Sequence, residues 1–562
     1  MLQKKEKWII TGVIALMSII VFINLGKGEI QPWDEGLYAI RAKSILHFND
    51  FWDQTLYSSG GLYSSTYPPL TIWFMSGAMS VFGENGFSVR FFTVLCSIAS
   101  LIFIYLISKR IVSFKYSLLA VILTGSTYVW DKFSREGMTD IPLTFFFILT
   151  FWAVIKLRES DEKKKIIFYS IIFALGFASA LMTKIIISFL PLLFVFLLSF
   201  EKNNKKWYLL LASIIAISLA SPWYIYMIIQ YGAPFYKALF VPHIYSVVET
   251  NSPKLGPFYY LNQLLVSNPF VLFTFVLIIL LISKNIRNSI IEKIRTDYVL
   301  YASVLWFGII FIILSIARTK MLHYSVYMVP PAILISVIFI ENMKLFIKNY
   351  RLIWLLFLSI IIFTVWSFSN GIRQDIKLIF TAYHFSTNAL VLISLITISL
   401  CAVIFIKGKI IQNLTDKFST AFIFVCSLML ITNIIVLNSF YTLGHSYGAE
   451  KAAGYVLKSN ENSFIYLYHE ATSSESLNPQ LAWYTMGIMN NWIEGKKCKT
   501  YPLPLNANIS DTLEKMKSLK ENIVIYYKPK EEEFAKVVCD KVSKEWHKVD
   551  FCDRYIVFRR RD

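Results

Sequence analysis

Charge is what this 562-residue chain has least of: only 16% of its residues are charged, against 56% hydrophobic and 16% aromatic. That scarcity excludes an ordinary soluble protein of this length, which needs far more polar surface. Acids are scarcer than bases, 36 against 55, for a formal net charge of +19. The excess does not point to nucleic acid, because the Lys and Arg residues sit in short blocks between apolar runs rather than on one interleaved basic and aromatic surface. No CxxC, HExxH or comparable spacing is present, so no motif defines a metal site. No small-residue cleavage pattern follows the first apolar run, where Gly26-Lys27-Gly28-Glu29 stands, and that run reads as an uncleaved first helix. Cysteine is also sparse. Cys96, Cys401 and Cys426 lie in apolar runs as packing residues, while Cys498, Cys539 and Cys552 allow one disulfide with one thiol left over, the pair being undetermined.

What is present in abundance is apolar runs of membrane length. They fall near Trp8 to Leu25, Ser88 to Ser108, Tyr116 to Trp130, Ile141 to Ile155, Ile166 to Leu181, Ile185 to Phe200 and Trp207 to Tyr224. Others follow near Leu264 to Ile282, Tyr298 to Ile316, Val326 to Ile340, Leu352 to Phe368, Leu390 to Ile406 and Ala421 to Leu437. The length rule makes these about thirteen membrane helices. Basic connections such as Lys109-Arg110, the Lys156 to Lys165 segment and Lys202 to Lys206 then face the cytoplasm by the positive-inside rule. The longer connections, 26–87 above all, face outward, and the Leu70 to Val81 run within that loop reads as an interfacial helix.

The composition changes after the last apolar run. Ser463 to Tyr468, Asn522 to Tyr527 and Tyr555 to Phe558 read as strands, and Ala449 to Lys458, Ser510 to Leu519 and Glu531 to Val542 as helices. The expected organisation is a polytopic α-helical membrane domain over 1–439 and a soluble α/β domain over 440–562 on the outer face.

The polar residues hardest to explain all fall on that outer side. Asp34-Glu35 follow the first run, Arg135, Glu136 and Asp140 precede the Ile141 run, and Lys184 stands in a short turn between two apolar runs. His243 lies in the loop after Trp223, and Arg318, Lys320, His323 and Tyr324 occupy a further turn. Each has a plainer reading: Lys184 as a snorkelling interfacial charge, His243 as a loop residue, Asp34-Glu35 and Asp140 as helix caps. Capping does not explain why acids, bases and aromatics collect on one side, where carboxylates are expensive to desolvate unless used or partnered.

These residues carry a resemblance. Asp34-Glu35 after the first helix, Tyr67-Pro68-Pro69-Leu70, the Gly83 to Arg90 stretch, and Arg135 through Met138 to Asp140-Ile141-Pro142-Leu143 resemble the GT-C glycosyltransferases. The branch holding the lipid A aminoarabinose transferases and the protein O-mannosyltransferases is similar also in Thr183-Lys184, Pro242-His243-Ile244 and Thr319 to Tyr324, in the same order. The likeness covers roughly the first 345 residues.

The resemblance implies sugar transfer from a polyprenyl-phosphate donor to a lipid, glycan or protein acceptor, on the extracytoplasmic face of a bacterial inner membrane. It implies Asp34 as general base or orienting carboxylate in an inverting displacement and Asp140 as a second acid. Glu35, Tyr67, Arg135, Lys184, His243, Lys320 and Tyr324 become candidates to hold substrate and the donor phosphate. The resemblance fixes no cofactor; a divalent cation is compatible, with Asp34, Asp140 and His243 as conceivable ligands. The chemistry agrees with the residues, since a phosphate that gains charge on leaving calls for fixed cations beside a membrane-level cavity. One departure stands out: aminoarabinose transferases usually have an acid-lysine pair before the double proline, and this chain has Thr66-Tyr67. The rival class is a lipid-linked-sugar transporter, which would favour internal repeats and charges inside its spans. Neither is seen.

Overall fold

The computed structural model describes residues 2–58, 61–199, 204–248, 256–280, 297–317, 320–342, 448–458, 463–469, 478–485, 497–503, 521–526, 532–544, 546–552 and 554–560. Among them, six helices are long and apolar enough to cross a membrane: Gly86–Ser108, Asp140–Glu159, Lys163–Leu181, Lys205–Tyr231, Tyr298–Ile316 and Leu322–Glu341. The thirteen spans expected from run length are not all covered by the described residues. Those near Leu352 to Phe368, Leu390 to Ile406 and Ala421 to Leu437 lie outside the described residues, as do the expected helix Ser510 to Leu519 and the domain boundary at 439–440.

Other expected spans are broken for local reasons. The first helix, Leu2–Phe22, begins with Lys4, Lys5, Glu6 and Lys7 and stops before Leu25, so its uncharged stretch is confined to Trp8 to Phe22, short of membrane length. The Tyr116 to Trp130 run divides into Phe114–Gly125 and Tyr128–Ser134. The backbone freed at that break is satisfied by Asn268, whose Nδ2 donates to Leu123 O at 3.0 Å and to Thr127 Oγ1 at 2.9 Å. Asn268-Pro269 likewise splits Leu264 to Ile282, because proline cannot continue the preceding hydrogen-bond ladder. Two spans start on side-chain caps: Asn85 Oδ1 accepts from Ser88 N at 3.1 Å, and Asp297 Oδ1 accepts from Val299 N at 3.1 Å.

The connection 26–87 is largely helical. Asp34–Phe48 and Leu70–Phe82 pack together through Tyr38, Ile45, Ile72, Met75 and Met79. Trp33, immediately before the first of them, has φ 71°, a state that costs a non-glycine residue about 1 kcal/mol or more.

The C-terminal residues form a five-stranded sheet in the order β2-β1-β3-β5-β4, with β1 Ser463–His469, β2 Lys497–Leu503, β3 Asn522–Tyr526, β4 Trp546–Cys552 and β5 Tyr555–Arg560. β1 pairs parallel to β2 and β3, while β5 pairs antiparallel to β3 and β4. Side chains alternate between two cores. Ile465, Ile523 and Ile556 pack on Val538 and Val542 of helix Glu532–Val542; Phe464, Val524 and Val557 pack on Ala452, Val456 and Leu481. Strands β2 and β4 and the short helix Pro479–Tyr484 went unread in the sequence. The sheet order also corrects the expected disulfide. Cys539 is a free thiol, and Cys498 and Cys552 sit on opposite edge strands, four spacings or about 19 Å apart, beyond disulfide reach.

Candidate active site

Four chain segments meet around Lys184. The lysine stands in the turn after helix Lys163–Leu181, held close to the double-proline loop by Leu70 N donating to Met182 O at 3.1 Å. Its Nζ is 3.1 Å from Asp140 Oδ1 and 3.3 Å from the Tyr327 hydroxyl, and Tyr327 donates to the same Asp140 oxygen. It also lies 4.7 Å from the Tyr324 ring centroid and 6.0 Å from that of Tyr67. Burial works against the ammonium charge, but Asp140, Tyr324 and Asp34 outweigh it and hold the lysine above its ordinary pKa.

Asp140 is the first residue of helix Asp140–Glu159, one place past the N-cap Thr139, and makes no capping bond; its carboxylate is 1% exposed and turned to Lys184 and Tyr327. Asp34 opens helix Asp34–Phe48 and is in a different situation. Its side chain is 33% exposed, and its Oδ2 lies 3.9 Å from His323 Nε2. Burial of its surroundings pushes the carboxyl above the usual range, with His323 and Lys184 drawing it down and Asp140 adding to the rise.

Aromatic rings wall this group. Tyr38 meets Tyr67 edge-on at 5.7 Å, His323 meets Tyr324 at 4.4 Å and Phe133 at 5.7 Å, and Tyr324 stacks on Tyr327 at 6.2 Å. The last pair is a product of local backbone: Leu322–Met328 is a 3-10 helix, in which residues three apart eclipse. Glu136, in the turn before Asp140, is buried, and that burial pushes its carboxyl up to about 7, with Lys132 opposing and Glu35 adding.

Asp34, Asp140, Lys184, Tyr67 and Tyr324 of the expected set are thus assembled. Glu35 is not among them: it accepts from Arg90 Nε at 2.8 Å, Gly137 N at 2.7 Å and Gln31 N at 2.6 Å, tying loop to helix. Its side chain departs about 100° around the helix from that of Asp34, which is why adjacent acids part company. Lys320 Nζ donates to Leu314 O, Ser315 O and Ala317 O at 3.1, 2.9 and 2.6 Å, closing the C-terminus of Tyr298–Ile316. Arg135 donates to Ile23 O at 2.7 Å. His243 falls within helix Ala233–Val248, and its side chain lies outside the described residues.

Two participants were missed. His323 was noted without a role, and Tyr327 was not noted; the Tyr324-x-x-Tyr327 spacing was the available signal. Among the described residues no three His, Cys, Asp or Glu side chains converge to hold a metal ion. Asp140 is already occupied by Lys184 and Tyr327, so the described residues do not fit a cation there.

Comparison with known proteins bears on this geometry. Residues 66–226 match the family described as dolichyl-phosphate-mannose-protein mannosyltransferase. Across 98% of both chains, the structure superimposes on ArnT from Cupriavidus metallidurans, solved bound to undecaprenyl phosphate, with a TM-score of 0.66 at 15% identity. The chain has the GT-C fold. The undecaprenyl phosphate-alpha-4-amino-4-deoxy-L-arabinose arabinosyl transferase of Wigglesworthia glossinidia brevipalpis is 26% identical over 354 residues, 62% of this chain and 60% of that protein. The polyprenol-phosphate-mannose–protein mannosyltransferase of Mycobacterium tuberculosis (strain CDC 1551 / Oshkosh) is 30% identical over 171 residues, 29% of this chain. The chain spans 31% of that second relative's length.

Proposed function

We propose that this chain is a membrane glycosyltransferase that moves a sugar from a polyprenyl-phosphate donor to a lipid, glycan or protein acceptor on the extracytoplasmic face. The observation that supports it most is the pairing of a half-open carboxylate, Asp34, with a buried cation, Lys184, inside a GT-C fold. In an inverting displacement the acceptor oxygen attacks the anomeric carbon, the bond from that carbon to the phosphate oxygen breaks, and the acceptor proton passes to Asp34. A carboxylate with a raised pKa is the better base for that proton. The phosphate leaves with added negative charge, which Lys184 offsets as a fixed point charge, with the Tyr327 hydroxyl beside it. Tyr67 packs on Tyr38 where the resemblance would place the lysine of aminoarabinose transferases, which supports a donor site that does not rely on that lysine. Aminoarabinose and lipid A are accordingly not the pair proposed.

The test is transfer by purified protein in detergent, with no gradient, from a radiolabelled polyprenyl-phosphate sugar to acceptors supplied as a detergent extract of the cell envelope. Wild-type protein should release polyprenyl phosphate, and Asp34→Asn should lose at least about 100-fold of that turnover while remaining folded. Near-normal turnover by the variant would remove Asp34 from the mechanism. Movement of labelled lipid across vesicles without a covalent product would favour a transporter.

A further inference from the structure

Helix Asp34–Phe48 has two working sides. Residues 34, 38 and 41 share one face by the i, i+4, i+7 rule. Asp34 approaches His323, Tyr38 packs on Tyr67, and Arg41 holds the first loop through Ser64 O at 3.1 Å and Gln54 Oε1 at 3.0 Å. Residues 36, 40 and 43 lie about half a turn away, on the opposite face. The C-terminal domain covers that face. A Cβ on Gly36 would come within 3.1 Å of Gln480 N, Ile40 is buried with Ala482 and Trp483, and Lys43 Nζ stands 4.8 Å over the Trp483 ring.

The segment before the helix fastens this contact. The Glu29 carboxylate, 5% exposed, accepts from Gln480 Nε2 at 3.2 Å and from Ala449 N and Glu450 N at 3.3 and 3.1 Å, at the start of helix Ala449–Leu457. Ile30 N donates to the Tyr484 hydroxyl at 2.8 Å. The Glu29 carbonyl in turn accepts from Arg90 Nη2 at 2.8 Å, and the same guanidinium grips Glu35, the neighbour of Asp34. A domain that were only tethered would need neither this buried acid nor a backbone approach that leaves a Cβ on Gly36 3.1 Å from Gln480 N and Pro479 C.

We propose that the C-terminal domain is a positioning element of the transferase site: Glu29, by holding Gln480 and helix Ala449–Leu457, seats helix Pro479–Tyr484 on the back of the Asp34 helix and so sets where Asp34 stands. The proposal rests on Asp34 acting as the base. Its test uses two full-length variants, Glu29→Gln, which removes the charge at the helix start, and Gly36→Ala, which drives a methyl group into the docked backbone. Hydrogen exchange of amides 34–48 is measured beside kcat and the donor KM, each per folded molecule. Both variants should exchange faster at the start of the helix and lose at least about 10-fold in kcat, with donor KM held within about 2-fold and the acid limb of the kcat profile displaced. Exchange and kcat that do not move together, or do not move at all, overturn the proposal. If one variant fails to fold, the other carries the same outcomes. If the wild-type protein shows no transfer, the reading of Asp34 fails, and exchange alone decides whether the domain holds the helix.

Discussion

At the residue scale, two carboxylates lie near one lysine in unlike surroundings. Asp140 is buried and paired, so removing its partner leaves an uncompensated charge. Lys184→Met should cost about 3–5 kcal/mol of stability, read by thermal unfolding in detergent, and adding Asp140→Asn should recover part of the loss through their coupling. Asp34 is partly open and its pKa is raised by its surroundings. A carboxyl with a raised folded-state pKa contributes stability that is complete below its ordinary value near 4 and is lost as pH rises through the folded value. Asp34→Asn should therefore melt above wild type at neutral pH, with the gain disappearing below about pH 4. An unchanged melting difference across that range would show that the residue is unstrained. The same raised pKa places the acid limb of wild-type activity above the usual carboxylate range.

At the element scale, the sequence showed the site best where a polar residue ends an apolar run. Asp34, Asp140 and Lys184 each do, and each reached the site. It failed where a side chain's partner is remote. Glu35 belongs to Arg90, which no periodicity around residue 35 reveals. Run length also hid the breaks at Thr127 and Pro269, which are made tolerable by Asn268, far from Thr127 in the chain. The turn before Asp140 depends on glycine for a steric reason. A Cβ on Gly137 would lie 2.5 Å from Val89 Cγ1 and 2.9 Å from Val89 O. Gly137→Ala should destabilise by about 1–3 kcal/mol and, since Gly137 N holds Glu35, should depress transfer as well. Melting and turnover measured on the same preparation check both effects.

At the scale of the whole molecule, sidedness is the open physical claim. Basic residues Lys109, Arg110 and Lys156 cluster at helix ends, around Glu159 in the case of the latter two, away from the Lys184 group. The proposed orientation puts Cys539 outside; it is a free thiol, half-buried, with burial pushing its pKa up to about 11. In a chain whose other cysteines are alanine, an impermeant maleimide should label Cys539 in intact spheroplasts, slowly because little thiolate is present. Labelling only after lysis would reverse the topology. The contact at Gly36 also bears on how such proteins can be recombined. Because Gly36 admits the Pro479-Gln480 backbone at van der Waals distance, the tail is not an interchangeable bead on a string. A chimera that takes its C-terminal domain from a relative would have to inherit residues 29–43 from the same parent, so the two ends of the chain are expected to travel together as one heritable unit.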